Sequence, residues 1–409
     1  MFIKEVNSKI ISNSRGEHTI QISFKTENGV FVSSAPSGKS KGRHEVPSYN
    51  ERGVGWSVKM ANVLAKRLQY RNFLVRKFEQ LREFDNFVRR FESEFGKLGG
   101  NVIYALHTCF LKAAAAENGK ELWQFLREDR KRPKIPMPVG NCIGGGMHSH
   151  GKKPDFQEFL LIPDEKSFSK AVTKNIHAYA YAKSLIRRRE KRFIMKRNDE
   201  GAWCTYLPNE EVLEILHEVG RQFDIRIGID AASSTFYTKN GYYHYMNKEL
   251  IRDRREQIDY MQRLIDKYNL FYIEDPMQED DFSGFKEISE HSMKKNALIV
   301  GDDLTVTNLS LLKRAFDSNS INSIIVKPNQ IGSLLEVKRV VDFCHKNGIK
   351  MIFSHRSGET MDDALADYAV GFGADFIKTG IEGKERLIKL RRIIEIEKFI
   401  EDMDEEEDL

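Results

Sequence analysis

Six side chains able to do chemistry stand at the ends of short apolar runs in the second half of the chain. Asp230 closes IRIGID, Glu274 closes LFYIED, Asp302 lies in ALIVGDD, Lys327 in SIIVKPN, His355 in IKMIFSHRSGE and Lys378 in DFIKTG. Three carboxylates with no His or Cys among them are hard oxygen donors, a set that favours Mg²⁺ over zinc. A cation so held binds a substrate carboxylate and stabilises charge developing on it. Lys327, with a pKa expected to be lowered by burial and by the cation, is a candidate base at neutral pH. Together these parts suit proton abstraction beside a carboxylate, through a metal-stabilised enediolate. Lys378 and His355 are then anion contacts or second acid/base groups. Any one of the acidic residues could instead cap the following helix. Lysine is a poor cap and is costly in a partly buried site without anionic company. The set therefore implies a divalent metal and an anionic substrate.

Such convergence needs elements that bring distant residues to one place. From Asp230 onward the gaps between run ends are 44, 28, 25, 28 and 23 residues, about the length of a strand, a helix and two loops. A seventh run, FLLIPD, follows Glu158. The rhythm predicts a series of parallel βα units, numerous enough for a closed barrel whose chemistry sits at the C-terminal strand ends. No GxGxxG follows an early strand, which weighs against a dinucleotide fold. Residues 1 to about 50 alternate in period two with turn signals, and about 57–128 turn helical, as in NVIYALHTCFLKAAAAENGKELWQFL. Pro133, Pro136 and Pro138 then mark a linker. The expected organisation is an α/β chain: an α+β cap domain over 1–130, a (βα) barrel over 131–398 and an acidic tail over 399–409.

Composition sets the class. The 409 residues are 40% hydrophobic and 31% charged, enough apolar material for sizeable cores. No run of 18 apolar residues occurs, and the opening MFIKEVNSKII lacks the h-region of a secretory signal. Cys109, Cys142, Cys204 and Cys344 are scattered without a CxxC pair, which suits a reducing cytoplasm and argues against a structural zinc. The last nine residues, EDMDEEEDL, carry seven carboxylates, and without them the net charge of +5 becomes +12. Arg187, Arg188, Arg189, Lys191 and Arg192 cluster within six positions. Such a patch is a solvated helix end, or it attracts anionic metabolites or nucleic acid. The solvated end is the simpler account, so nucleic acid is not an expected partner, nor is a membrane.

The chain also resembles the enolase family over nearly its whole length. The words are PSGKSKG (36–42), QEF (157–159), IGIDAASSTFY (227–237), IEDP (273–276), GDDLTVTN (301–308), KPNQIGSLLE (327–336), SHRSGET (354–360) and IKTG (377–380). The resemblance implies an enolase-type (βα) barrel behind an α+β cap, and the Mg²⁺-dependent reversible dehydration of 2-phosphoglycerate to phosphoenolpyruvate. By resemblance, Asp230, Glu274 and Asp302 hold one Mg²⁺, and Ser40 reaches a second when its mobile loop closes. Lys327 is the base at carbon 2, and Glu200 of NDEGAW, with Glu158 beside it, is the acid that protonates the departing hydroxyl. A carboxyl pair of raised pKa suits that role. Lys378 pairs with the substrate carboxylate, Arg356 and Ser357 bind the phosphate, and His355 lines that pocket. His148, favoured over His150 in GGGMHSHGKKPDFQEF, is the implied phosphate-loop histidine. A homodimer or a ring of dimers is implied as well.

Four words depart from the family pattern. PSGASTG is PSGKSKG, where Lys39 and Lys41 are either solvated or add positive charge over the phosphate. DEGG is DEGA, followed by Trp203, which stiffens the backbone carrying Glu200. The histidine segment is shifted by one residue, and SRGNPT is SRGEHT, a change expected to concern loop packing. None removes a proposed ligand, base or acid. The alternatives are a paralogue acting on another phosphorylated hydroxy acid and a non-catalytic module binding RNA or protein.

Overall fold

The computed structural model describes residues 1–39, 42–127, 132–191 and 194–407. Strands β1 (Glu5–Ser12), β2 (His18–Thr26) and β3 (Gly29–Ser34) form an antiparallel meander. Thr26 pairs with Gly29, so Glu27 and Asn28 make the two-residue turn that the word ENG predicts. Helices α1 (Val54–Leu68), α2 (Leu81–Phe95), α3 (Gly100–Glu117) and α4 (Leu122–Leu126) complete this cap. Helix α3 is apolar on nearly every face because it lies between the meander and the barrel. Phe73, Phe84 and Phe110 stack and tilt against one another at its centre. The boundary expected at 130/131 lies outside the described residues.

The second part holds β4 (Met137–Gly144), β5 (Glu158–Pro163), the short β6 (Trp203–Cys204), β7 (Ile225–Asp230), the hairpin β8 (Tyr243–Tyr245) and β9 (Leu250–Arg252), β10 (Tyr272–Glu274), β11 (Leu298–Gly301), β12 (Ser323–Val326), β13 (Lys350–Ser354) and β14 (Phe376–Lys378). Eight of these close a ring in the order β4, β5, β7, β10, β11, β12, β13, β14, with β14 pairing back onto β4. Around it run α5 (Phe168–Arg189), α6 (Asn209–Phe223), α7 (Arg254–Tyr268), α8 (Phe282–Ser292), α9 (Leu309–Asp317), α10 (Pro328–Ile331), α11 (Leu334–Asn347), α12 (Ala364–Gly371) and α13 (Lys384–Glu407). Local chemistry sets several ends. Asp253 and Glu256 form a capping box at the start of α7, and Gly348 ends α11 in the left-handed conformation.

The barrel differs from the expected series of parallel units in two ways. β4 is an additional first strand, which Pro138, Gly140 and Gly144 disguise in sequence because proline and glycine demote a strand signal. β5 runs antiparallel to both β4 and β7. The chain turns back from β4 into β5 with only a short 3-10 turn and no α-helix between them, so Glu158, the first residue of its strand, stands beside Asp230, the last of β7.

Side-chain alternation then explains the barrel interior. Val139, Leu160, Ile162, Tyr272, Leu298, Val300, Ile325, Ile352 and Phe376 form a buried apolar cluster from seven of the eight strands. The eighth, β7, contributes Gly228, where a Cβ would lie 2.6 Å from both the Cβ and the backbone carbonyl oxygen of Tyr272, so the glycine lets the neighbouring strand approach. Two residues beyond members of this layer come Asp230, Glu274, Asp302, Lys327 and Lys378, on the same inward face. Arg187, Arg188 and Arg189 form the exposed last turn of α5, where cations meet the negative end of the helix; Arg192 lies outside the described residues. The acidic run from 399 begins inside α13, whose Ile396 and Ile400 are buried and which continues to Glu407.

Candidate active site

The polar layer above the apolar plug is a network of buried charges. Lys378, at the end of β14, places its ammonium 2.8 Å from Glu158, 3.2 Å from Asp230 and 2.8 Å from Glu274. Burial alone would lower this lysine, but the three carboxylates outweigh it and hold its pKa well above the ordinary value. Glu274 accepts a hydrogen bond of 2.6 Å from the Tyr272 hydroxyl two residues earlier on the same face. Burial and the neighbouring Asp230 carboxylate push Glu274 up to about 8.

Lys327 follows β12 in extended conformation, and Pro328 opens α10 immediately after it. Its ammonium donates to Asp302, whose other oxygen accepts 3.2 Å from the Gln330 amide. The pKa of Lys327 is raised, not lowered as the sequence suggested. Burial does act downward, but the Asp302 carboxylate against the ammonium prevails. With 14% of its side chain exposed, Lys327 is the least enclosed of the described residues in the candidate set.

A second group faces it across a narrow cavity. Glu158 and Glu200 are both buried, and His148 Nδ1 stands 3.4 Å from Glu200 and 4.0 Å from Glu158. Asn141 of β4 donates to Glu200 at 3.1 Å, and His355 Nε2 lies 3.7 Å from it. The sequence reading expected a carboxyl pair of raised pKa; the two members move in opposite directions. Burial and the adjacent Glu200 push Glu158 well above the ordinary range. Burial would raise Glu200 too, but the positive potential of His148 and a hydrogen bond from Glu158 hold it well below. The two carboxyls therefore titrate as a pair, with proton affinity raised at Glu158 and lowered at Glu200. His355 is held well below its usual value by burial and by Arg386, and is neutral. Of the two candidate loop histidines, His148 is buried against this pair and His150 is exposed.

The phosphate-binding candidates adjoin the cap. Arg356 is buried, and its Nη2 donates to both carboxylate oxygens of Glu45, at 2.9 and 3.0 Å. The Ser357 hydroxyl accepts from the Lys39 amide at 2.9 Å and from the Arg15 guanidinium. Arg15 of SRGEHT pairs with Glu17 inside its loop and also donates to the Ser357 hydroxyl, so this hairpin reaches the site. Lys39 is partly exposed, and its ammonium lies 2.7 Å from Asp199. Ser40 and Lys41 lie outside the described residues. Ala202 and Trp203 are buried; Trp203 stacks on Tyr179 with centroids 4.8 Å apart and anchors the loop that carries Glu200.

The structure thus brings Glu158, Glu200, His148, Asp230, Lys327, His355, Arg356, Ser357 and Lys378 onto one cavity, which in this state has room for about one water molecule, some 20 Å³. Glu274 and Asp302 join it through the two lysines. Among the described residues, Asp275, Asp302 and Asp303 have ligand atoms within 4.8 Å of one another, as do His148, Glu158 and Glu200; Asp230, Glu274 and Asp302 do not form such a set. The residues nevertheless fit a hard divalent cation. Glu274 Oε1 is buried without a hydrogen-bond partner, and Asp303, like Glu274, is pushed up to about 8 by burial and by a neighbouring carboxylate. A cation would relieve that repulsion.

Sequence reasoning missed Glu45, Arg15, Asp275 and Arg386. Asp275 of IEDP accepts the amide protons of Asp302 and Asp303 at 3.1 and 2.8 Å, which orients both carboxylates. Arg386 binds His355 Nδ1 at 3.0 Å and the carbonyls of Arg356 and Ser357 at 2.7 and 2.8 Å. Asp275 had a signal, its place beside Glu274; Arg386, one of three arginines on a long helix, had none.

Comparison with known proteins finds similarity along nearly the whole chain. The family model described as "Enolase, N-terminal domain" matches residues 3–126, and "Enolase, C-terminal TIM barrel domain" matches 133–406. The chain is 38% identical to an enolase of Methanosphaera stadtmanae over 405 residues, covering 97% of this chain and 96% of the relative. It is 35% identical to that of Pyrobaculum aerophilum over 416 residues (98% and 97%), and 37% identical to that of Natronomonas pharaonis over 408 residues (97% and 98%).

Proposed function

The chain belongs to the enolase family, and from that premise we infer that it interconverts 2-phosphoglycerate and phosphoenolpyruvate by reversible loss of water, as a hydro-lyase. The observation that most supports this reading is the shared cavity: an amine and a proton-bearing carboxyl pair open onto one enclosed space, as removal of a proton and of hydroxide from adjacent carbons requires.

Lys327 Nζ takes the proton from carbon 2. In the resting state it is held as an ammonium by Asp302, so it must first release a proton and loosen that pair. Glu200 delivers a proton to the leaving hydroxyl, drawing on the one it shares with Glu158, while His148 and His355 fix its carboxylate. Lys378 offers its ammonium to the substrate carboxylate, and Arg356 and Ser357 take the phosphate. The resting cavity is too small for a phosphoglycerate, so substrate must displace existing contacts, including the hold of Glu45 on Arg356. Burial of the whole layer excludes water from the reacting atoms.

Asp230, Glu274 and Asp302 would hold a divalent cation, which when bound offsets the charge that the substrate carboxylate gains as its α-proton leaves. Magnesium is the ion that the oxygen donors favour; two ions per site, with Ser40 as a ligand of the second, follow from the family resemblance. The cytoplasm as its place and a homodimer or higher homo-oligomer as its assembly complete the proposal. No helix among the described residues is long and apolar enough to cross a membrane.

The test is direct. Purified chain with 2-phosphoglycerate and Mg²⁺ produces the absorbance of phosphoenolpyruvate, EDTA stops it, and Lys327→Ala slows it by about a hundredfold or more. A chain that turns over no 2-phosphoglycerate at any Mg²⁺ concentration would overturn the reading.

A further inference from the structure

Segment 36–39 of the cap lies directly on the phosphate-binding segment of the barrel. Ser37 and Gly358 exchange two backbone hydrogen bonds, of 2.8 and 2.9 Å, and the Lys39 amide donates to the Ser357 hydroxyl at 2.9 Å. The approach is close enough that a Cβ on Gly38 would fall 2.0 Å from the Arg356 guanidinium. Past this point the Lys39 side chain leaves the phosphate segment and crosses to another loop, where its ammonium meets Asp199 at 2.7 Å. The two side chains keep 26% and 22% exposure.

Asp199 is the residue before Glu200, in a compact turn. The Asn198 amide oxygen accepts the backbone N–H of both Glu200 and Ala202 at 3.0 Å. The Asp199 N–H donates to the His148 carbonyl at 3.4 Å, and its own carbonyl accepts from Arg386 at 3.2 Å. Among the described residues, only the Asp199 carboxylate of this turn receives a bond from the cap. In the family's loop word the position is alanine, which has nothing to send across.

We propose that Lys39 is a positioning residue of the reaction: by pairing with Asp199 it fixes the turn that presents Glu200 and ties that turn to the cap segment lying on Ser357. The proposal rests on the assignment of the reaction above. It makes Lys39 act through Asp199 and not on the phosphate, since its ammonium is committed to a carboxylate. Substrate affinity and turnover should therefore respond differently.

Lys39→Ala and Asp199→Ala should each lower kcat about three- to fivefold with KM little changed, the size of effect a partly exposed ion pair supports. Lys39→Arg should retain parent kcat, and the exchange Lys39→Asp with Asp199→Lys should recover most of what either change alone loses. Hydrogen exchange without substrate should show faster exchange of the 37–39 and 200–202 amides in Lys39→Ala than in the parent. A rise in KM at unchanged kcat would make Lys39 a phosphate contact and overturn the proposal. So would kinetic constants and exchange rates equal to the parent's. Absence of turnover in the parent would overturn the assignment of the reaction instead; the exchange comparison, which needs no substrate, still decides whether the pair holds the turn.

Discussion

The same strands line two layers of the barrel interior, and the layers have opposite chemistry. Below, apolar side chains from seven strands pack with no charge among them. Above, two residues further along several of those strands, stand three carboxylates and two lysines, with Glu158 and Glu200 alongside. Their spacing is set by the β pleat alone, so a shift of one residue in any strand would turn both layers outward together. The lower layer stabilises by removing hydrocarbon from water. The upper layer holds charges whose pKa values are pulled apart by burial and by one another, a state that stability alone does not favour. One layer makes the barrel, and the other uses it.

Perturbing each layer separately tests this contrast. The largest effect belongs to the mouth: Lys327→Ala should lower turnover by ~10²–10⁴ while far-ultraviolet circular dichroism stays that of the parent. Retained activity would mean that the amine is not the base. Next comes the plug: Ile325→Ala, two residues below Lys327, should destabilise by about 2–5 kcal/mol in urea unfolding. In the cold its folded fraction should keep kcat within a few-fold. Equal damage to kcat would show that the layers are not separable. Tyr272→Phe probes the one side chain that spans them, for its ring lies in the plug and its hydroxyl donates to Glu274. It should cost about 1–3 kcal/mol and weaken activation by Mg²⁺ ~10-fold.

The smallest effect lies outside both layers. His107 of α3 accepts the Leu334 N–H on Nδ1 at 3.2 Å and stands 3.0 Å from Asp85 through Nε2, which fits the neutral ring. Burial lowers its pKa below 6.5. Below pH 6.5 the unfolded chain then binds a proton that the folded one refuses, so stability is full above that value and falls as pH drops. The slope contributed is up to about 1.4 kcal/mol per pH unit. His107→Gln should remove that share of the slope below pH 6.5 in denaturant titrations. An unchanged slope would place the acid sensitivity elsewhere, with His355 of the mouth the next group to replace.

Much of the upper layer was legible because its residues interrupt the apolar runs that precede them. Asp230, Glu274, Lys327 and Lys378 could be found by asking where hydrophobicity stops. β4 could not, since Pro138 and two glycines hide it. The reversed direction of β5 was equally hidden, because alternation has the same period either way. Its one trace was that Glu158 begins its run where the others end theirs. The raised pKa of Lys327 escaped because it depends on Asp302 lying against it, a contact between neighbouring strands that spacing alone does not measure. Glu45 and Arg15 come from the cap, and no pattern within the barrel announces what a second domain places over its mouth.

The reversal of β5 has a consequence for what this chain can tolerate. In the other units a strand-to-helix loop faces the reaction and the helix-to-strand return faces away, leaving a side on which length is free to vary. The turn from β4 to β5 has no such refuge. Residues 145–157 cross directly above the reacting centre and carry His148 there, so an insertion that would pass unnoticed beneath the ring would, in this stretch, redraw the ceiling over the substrate.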